Sequence, residues 1–107
     1  MTPLQGLIGF LFFVLNSALQ LLLFAIIINA IMSWLLAFDV INYRNRFVYQ
    51  IATGLDRLTS PLMAPFRRFI PPLGGIDITP IIVIIIIQGI QNFILPPLRM
   101  TAMGLAG

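Results

Sequence analysis

The chain has 107 residues, of which 60% are hydrophobic and 8% are charged, with a net charge of +3. Soluble domains are about 45–50% apolar and about 25% charged, and a small soluble protein needs a largely polar surface that so few charges do not provide. The composition therefore predicts a membrane protein. Because His, Cys, Lys and Glu are absent, disulfides, thiolate zinc sites, histidine-ligated haem and Schiff-base chemistry are excluded, and no catalytic residue, metal site or cofactor is predicted.

The first predicted element is a long transmembrane helix over residues 4–38. No charged side chain occurs before Asp39, and neither Pro nor Gly interrupts the chain between Phe10 and Phe38. A crossing needs about 20 residues, so this stretch exceeds one span and is too short for two spans with a turn. We expect one tilted helix.

Residues 46–59 are predicted to form an amphipathic helix. Phe47, Ile51, Leu55 and Leu58 fall at i, i+4, i+8 and i+11, and the segment is too short to span a bilayer. Two interpretations remain open: a helix lying in the plane of the membrane surface, or a helix packed beneath another protein chain.

Residues 60–79 are predicted to be a Pro/Arg/Gly-rich loop. Five prolines up to Pro80 and the pair Gly74-Gly75 argue against a long helix, yet the segment is too apolar for a solvated linker. A re-entrant or interfacial loop is expected, since irregular backbone at membrane depth needs protein partners. Arg67 and Arg68 either reach lipid phosphates or only enforce topology.

The second transmembrane helix is predicted over residues 80–95, with Thr79 as N-cap and Pro80 at the first helical position. The Ile-rich run would suit a strand in water, but in lipid a helix is favoured because it satisfies its own backbone. Pro96-Pro97 is expected to stop the helix, leaving residues 96–107 as a tail. Asp77 is interpreted as a capping carboxylate or, alternatively, as an ion-pair partner of Arg67 or Arg68.

Five of the six Arg residues lie between the two spans. The positive-inside rule then places the loop in the cytoplasm, or its topological equivalent, and both termini on the outer side of the membrane. The basic balance favours anionic lipid headgroups as partners over nucleic acid, which is not expected to bind. The residues expected to contact headgroups are Arg44, Arg46, Arg57, Arg67 and Arg68.

The polar side chains of the spans fall into two groups. Asn16 and Gln20 share one face of the first helix, and amides of the second helix are expected to bond to them rather than face lipid; the alternative is that each amide bonds only to its own backbone. The second-helix amides are Gln88, Gln91 and Asn92. Asn29 and Ser33 lie on nearly the opposite face and are predicted to meet another copy of the chain or a partner.

Together these elements predict an all-α membrane protein with a single membrane domain over residues 1–107: a two-helix transmembrane hairpin with an amphipathic in-plane helix and a Pro/Gly-rich loop between the spans.

The segment from Pro61 to Pro80, running into an Ile-rich helix, resembles the YggT (YlmG) family of small bacterial and plastid membrane proteins. This chain has Thr79 where Ser is common in the family, which keeps a hydroxyl, and it has one copy of a unit that many bacterial members carry twice. The motif residues are Pro61, Pro65, Arg67, Arg68, Pro71, Pro72, Gly74, Gly75, Asp77, Thr79 and Pro80.

The resemblance implies a non-enzymatic assembly, accessory or scaffold factor for larger membrane complexes, in cytochrome b-type complex biogenesis or in cell-envelope and division organisation. The single unit implies association with itself or with other integral membrane proteins. An oligomeric channel or transport component involved in osmotic tolerance is the alternative, although neither predicted span carries an internal charge. An enzyme is the weakest hypothesis.

Overall fold

A computed structural model of the chain describes residues 2–71 and 77–107. Two uninterrupted helical stretches, Pro3–Ala37 and Thr79–Ala106, are long and apolar enough to cross a membrane. All regular structure in the described ranges is helical, which confirms the predicted all-helical class. The elements are α1 (Pro3–Ala37), α2 (Arg46–Arg67), α3 (Thr79–Gly89), a π-helical turn (Ile90–Ile94) and α4 (Leu95–Ala106).

Helix α1 has recognisable signals at both ends. The Thr2 hydroxyl accepts a hydrogen bond from the Gln5 N–H, and the Gln5 side chain accepts one from the Thr2 N–H, both at 3.1 Å, which is a reciprocal capping box. At the other end Asp39 has φ of 59°, and the Val40 N–H donates to the Leu35 carbonyl at 2.9 Å. A left-handed residue followed by this backward bond ends the helix sharply.

Helix α2 begins at the predicted residue but is longer than predicted. The Asn45 side chain caps it by accepting from the N–H groups of Phe47 and Val48. The predicted end at residue 59 is wrong, because the helix continues to Arg67 through Pro61 and Pro65. Both prolines are exposed, so the carbonyls that lose a helical donor lie on the outer side, where a helix bends most easily and other donors can reach them.

The second span also continues past its predicted end. Pro96-Pro97 was expected to stop the helix at residue 95, but α4 extends to Ala106, so the predicted tail over residues 96–107 is helical. A proline ring clashes with the carbonyl four residues earlier. Just before the prolines the chain forms a π-helical turn, in which the Leu95 N–H bonds to the Ile90 carbonyl five residues back. This wider turn moves the preceding carbonyls aside and lets the helix continue.

The described residues form two compact units, one from Met1–Leu21 with Ile85–Gly107 and the other from Leu22–Ile84. We call them the terminal unit and the central unit. Ile87 and Leu95 are the buried apolar residues of the terminal unit. The central unit has the larger core, and it also buries three polar side chains, Asn29, Thr59 and Thr79. Its buried apolar residues are Leu23, Ile26, Ala30, Ala52, Met63 and Val83.

Candidate functional site

The central unit contains a polar cluster around Asp77, which we call the motif cluster: Trp34, Arg67, Asp77 and Thr79. The Arg67 Nε donates to Asp77 Oδ2 at 3.0 Å, and the Thr79 N–H donates to Asp77 Oδ1 at 3.0 Å. The Trp34 indole N–H donates to the Asp77 backbone carbonyl at 3.4 Å. Asp77 therefore ties the start of α3 to the last residue of α2 and to α1, and it acts both as a cap and as an Arg67 partner.

The ionised form of Asp77 is favoured in this cluster. Partial burial raises the pKa of the Asp77 carboxyl, but contacts with Thr79 and the charge and hydrogen bond of Arg67 outweigh it and hold the pKa below its ordinary value. The Thr79 hydroxyl does not cap the helix as predicted. Its Oγ1 is fully buried and has no hydrogen-bond partner among the described residues, so Thr79 contributes to the cap through its backbone N–H.

A second buried polar contact joins α1 to α2 inside the central unit. The Asn29 Nδ2 donates to Thr59 Oγ1 at 3.0 Å, and the Thr59 hydroxyl donates to the Leu55 carbonyl at 2.9 Å. Only 7% of Asn29 is exposed. The prediction that Asn29 faces another copy or a partner is therefore wrong in this structure, because α2 of the same chain covers it. Ser33, the other predicted partner-face residue, is exposed.

Asn29 and Ser33 also border a small polar cavity of about 190 Å³ in the central unit. The cavity contains one acidic and one basic side chain, Asp56 and Arg67. Nearby, the rings of Tyr43 and Tyr49 meet edge to face with centroids 6.0 Å apart. Within the described ranges no three His, Cys, Asp or Glu residues come together as a metal site would require.

The predicted amide contact occurs in the terminal unit, through one residue of the second span. The Gln91 Nε2 donates to Gln20 Oε1 at 3.2 Å and to the Asn16 backbone carbonyl at 3.4 Å. Gln91 lies in the π-helical turn. Gln88 and Asn92 are exposed, and neither takes part in this contact.

Helix α2 presents three different sides. Ala52, Thr59 and Met63 are buried at i, i+7 and i+11, whereas Phe47 and Leu58 are 70% and 60% exposed. At 100° per residue the exposed apolar residues lie on one flank of the buried side and the basic residues on the other. All five Arg residues assigned to headgroups are exposed: Arg44, Arg46, Arg57, Arg67 and Arg68.

The remaining motif residues occupy different environments. Pro61 and Pro65 lie within α2, Arg68 follows its last residue, and Pro71 is exposed. Pro80 is buried in the first turn of α3. Pro72, Gly74 and Gly75 lie outside the described residues.

Sequence reasoning missed the buried side of α2 and the bond from Trp34. The apolar period through Phe47 and Leu58 is the stronger signal, but those residues are exposed. Met63 lies beyond residue 59, where the helix was predicted to end. A weaker signal for the buried side is the spacing of Ala52, Thr59 and Met63, which places these three residues on one side of the helix. A small side chain on that side permits close approach of two helices.

Comparison with known proteins places these features in a family. The family model described as CCB3/YggT matches residues 8–98. The chain is 34% identical over 76 residues to the uncharacterized protein ycf19 of Guillardia theta, covering 71% of this chain and 76% of that protein. It is 32% identical over 110 residues to the uncharacterized protein YggT of Escherichia coli K12, covering 92% of this chain and 53% of the relative.

A plant relative carries a more informative name. The chain is 33% identical over 69 residues to CCB3, a chloroplastic Arabidopsis thaliana protein named for cofactor assembly of complex C, covering 64% of this chain and 36% of that protein. An uncharacterized protein of Haemophilus influenzae, 33% identical over 82 residues, is covered over 40% of its length. The chain thus spans about half or less of several of its relatives. No solved structure matches it.

Proposed function

Because the chain belongs to the CCB3/YggT family, we propose that it is a non-enzymatic integral membrane protein that serves as an assembly or accessory factor for larger membrane complexes. The observation that carries this proposal is the motif cluster. Arg67 and Asp77 pair with each other, and Asp77 also accepts the Thr79 N–H. The Arg67 and Asp77 side chains thus join the end of α2 to the start of α3 instead of converging on a substrate.

The name of the plant relative supports a role in assembly. That protein is named as a cofactor assembly factor, and we extend the same class of role to this chain: helping a membrane complex, such as a b-type cytochrome complex, to reach its assembled form. Cell-envelope or division organisation is the second setting we consider for the same kind of accessory role.

We further propose that the protein is a two-helix hairpin in the bacterial inner membrane, with α2 on the cytoplasmic surface and both termini outside. The Arg bias supports this orientation. The exposed apolar flank of α2, including Phe47 and Leu58, would enter the interfacial region, while Arg46 and Arg57 on the other flank would meet anionic headgroups. Other integral membrane proteins, or a second copy, are the proposed protein partners.

The channel alternative receives less support from the contacts. A pore needs polar groups that face water, whereas Asn29 bonds to Thr59 and Gln20 bonds to Gln91 within the chain. Hydrogen bonds of this kind stabilise helix contacts in membranes.

Deletion of the gene in its native host, followed by complementation, tests the proposal. We expect blue-native gels with haem staining to show less of at least one assembled membrane complex in the deletion strain, with recovery by the wild-type gene. Asp77→Ala should restore the complex poorly, and Arg68→Gln, which removes an exposed charge next to the cluster, should restore it fully. Unchanged complexes together with ion flux through the reconstituted protein would favour the channel instead.

A further inference from the structure

The terminal unit contains an open apolar cavity with a cation beside it. The cavity measures about 310 Å³, and its largest apolar lining residues are Phe12, Phe13 and Leu95. Arg99 and the amide residues Asn16 and Gln91 also line it. At Gly9, another lining residue, a Cβ would lie 3.0 Å from the Met103 Cε and 3.6 Å from Arg99 Nη2, so the missing side chain lets both residues approach α1. The Arg99 guanidinium therefore lies alongside the bare backbone of α1.

A second open cavity of about 440 Å³ adjoins the first and shares lining residues with it. It is lined by Pro96, Arg99, Met100 and Met103. Pro96 and Arg99 line both cavities. Arg99 is therefore shared by two neighbouring cavities, and Met side chains, which adapt to irregular shapes, line one of them.

Arg99 lacks a carboxylate partner in the part of the chain that the structure describes. The ion pair found there joins Arg67 to Asp77. It is also the one charged side chain among residues 78–107. An Arg side chain stays ionised at all ordinary pH values and binds phosphate oxygens through two parallel N–H groups. A bound anionic group would therefore balance the charge of the Arg99 guanidinium.

We propose that the terminal unit binds one anionic phospholipid with two acyl chains. The phosphate accepts hydrogen bonds from the Arg99 guanidinium, and the acyl chains occupy the two cavities that Arg99 lines. A diacyl lipid matches three features together: one cation, two apolar cavities, and a position in a helix long enough to cross a bilayer. This site is distinct from the basic side of α2, because α2 belongs to the central unit and Arg99 to the terminal unit.

Native mass spectrometry of the full chain in neutral detergent tests the site. We expect one dioleoyl phosphatidylglycerol per chain, bound about five-fold more tightly than dioleoyl phosphatidylcholine, which is the upper end for an exposed ion pair. Arg99→Gln should abolish this preference. The matched comparison Arg57→Gln removes one of the α2 charges proposed to meet headgroups, and it lies in the central unit, outside this site, so the single tightly bound lipid and its preference should remain.

Two further probes separate a lipid from simpler ligands. Lysophosphatidylglycerol, with one acyl chain, should bind more weakly than the diacyl lipid, and glycerol phosphate should not displace the diacyl lipid. Met103→Trp keeps the charge but fills the second cavity, and it should reduce diacyl binding to the level of the single-chain lipid, which provides a test if Arg99→Gln fails to fold.

Several results would overturn the proposal. Equal preference in wild type and Arg99→Gln would remove Arg99 from the site. If Arg57→Gln loses the preference for phosphatidylglycerol to the same extent, the preference arises from general surface charge and not from this site. Displacement by glycerol phosphate would leave a phosphate site without a lipid, and saturable binding of an acidic client peptide to the same cavities in place of lipid would assign them to a protein partner.

Discussion

At the scale of single residues, Asp77 links two other residues of the family motif, Arg67 and Thr79. One carboxylate oxygen accepts the first N–H of α3 and the other accepts from Arg67 at the end of α2. A capping interaction is worth about 1 kcal/mol, and a part-exposed ion pair about 0.2–1 kcal/mol. Capping is therefore the larger contribution to stability, and the ion pair determines that Arg67 is the residue joined to Asp77.

Substitution of Asp77 separates the two roles. Asp77→Ala removes both and should lower the free energy of unfolding in detergent by about 1–2 kcal/mol. Asp77→Asn keeps an oxygen that can accept the Thr79 N–H, so the loss should be at most about 1 kcal/mol. Thermal unfolding of both variants checks the order, with Arg68→Gln as the control. If Asn is as damaging as Ala, the ion pair and not the cap is the main role.

The same carboxylate predicts a pH dependence. Because the folded-state pKa of Asp77 is depressed below its ordinary value of 3.8, its contribution to stability is present at pH well above 3.8 and is lost as the pH falls through the folded-state pKa. The wild type should lose stability below about pH 4, and Asp77→Asn should show a smaller loss in the same window. Parallel pH profiles would contradict this assignment.

The Asn29–Thr59 bond makes a second residue-scale prediction. We expect Asn29→Ala and Thr59→Val to destabilise the protein singly and the double variant by less than their sum, with a coupling of about 0.6–1.7 kcal/mol, as measured for hydrogen bonds between helices in membranes. Thr59→Ser keeps the hydroxyl and is the control. Additive effects, or crosslinking of a cysteine at Asn29 to a second copy, would instead support an outward-facing Asn29.

At the scale of elements, prolines lie within helices here without ending them. Pro61 and Pro65 lie on the exposed side of α2, and a π-helical turn precedes Pro96-Pro97. Short π-helical turns are frequent at functional sites, and this one holds Gln91, which bonds to Gln20. We infer that the prolines set the rotation of the helix that brings Gln91 into this contact.

Replacing Pro96 and Pro97 with Ala tests this inference. The double variant regains two N–H donors, so a regular α-helix becomes accessible and Gln91 should rotate away from Gln20 by about one residue, or 100°. A short thiol crosslinker between cysteines at positions 20 and 91 should join them efficiently in the parent chain and poorly in the variant. Leu98→Ala serves as control. Undiminished crosslinking would mean that the prolines do not set this contact.

The helical class and the starts of α2 and of the second span could be predicted, because uncharged runs, the apolar period that begins at Phe47 and a proline such as Pro80 in a first helical turn are local signals. The ends at residues 59 and 95 were missed because proline was treated as a stop, whereas its effect depends on which side of the helix it occupies. The burial of Asn29 could not be predicted for a different reason. It depends on contact with Thr59 of α2, which lies 30 residues further along the chain.

At the scale of the whole molecule, the proposed function depends on how the chain crosses the bilayer. The two candidate spans are 35 and 28 residues long, and about 20 residues suffice for one crossing. With two crossings, both termini lie on one side and α2 lies on the other. The orientation that we propose from the Arg distribution has α2 in the cytoplasm, where an assembly factor would meet clients as they are inserted.

Single-cysteine labelling of this cysteine-free chain in intact cells tests that arrangement most directly. Thr2, Tyr49 and Thr101 are all exposed and can each be replaced with cysteine. A membrane-impermeant thiol reagent should label the cysteines at positions 2 and 101 from outside and the one at position 49 only after the cells are opened. Labelling of position 49 from outside, or labelling of positions 2 and 101 from opposite sides, would contradict the account.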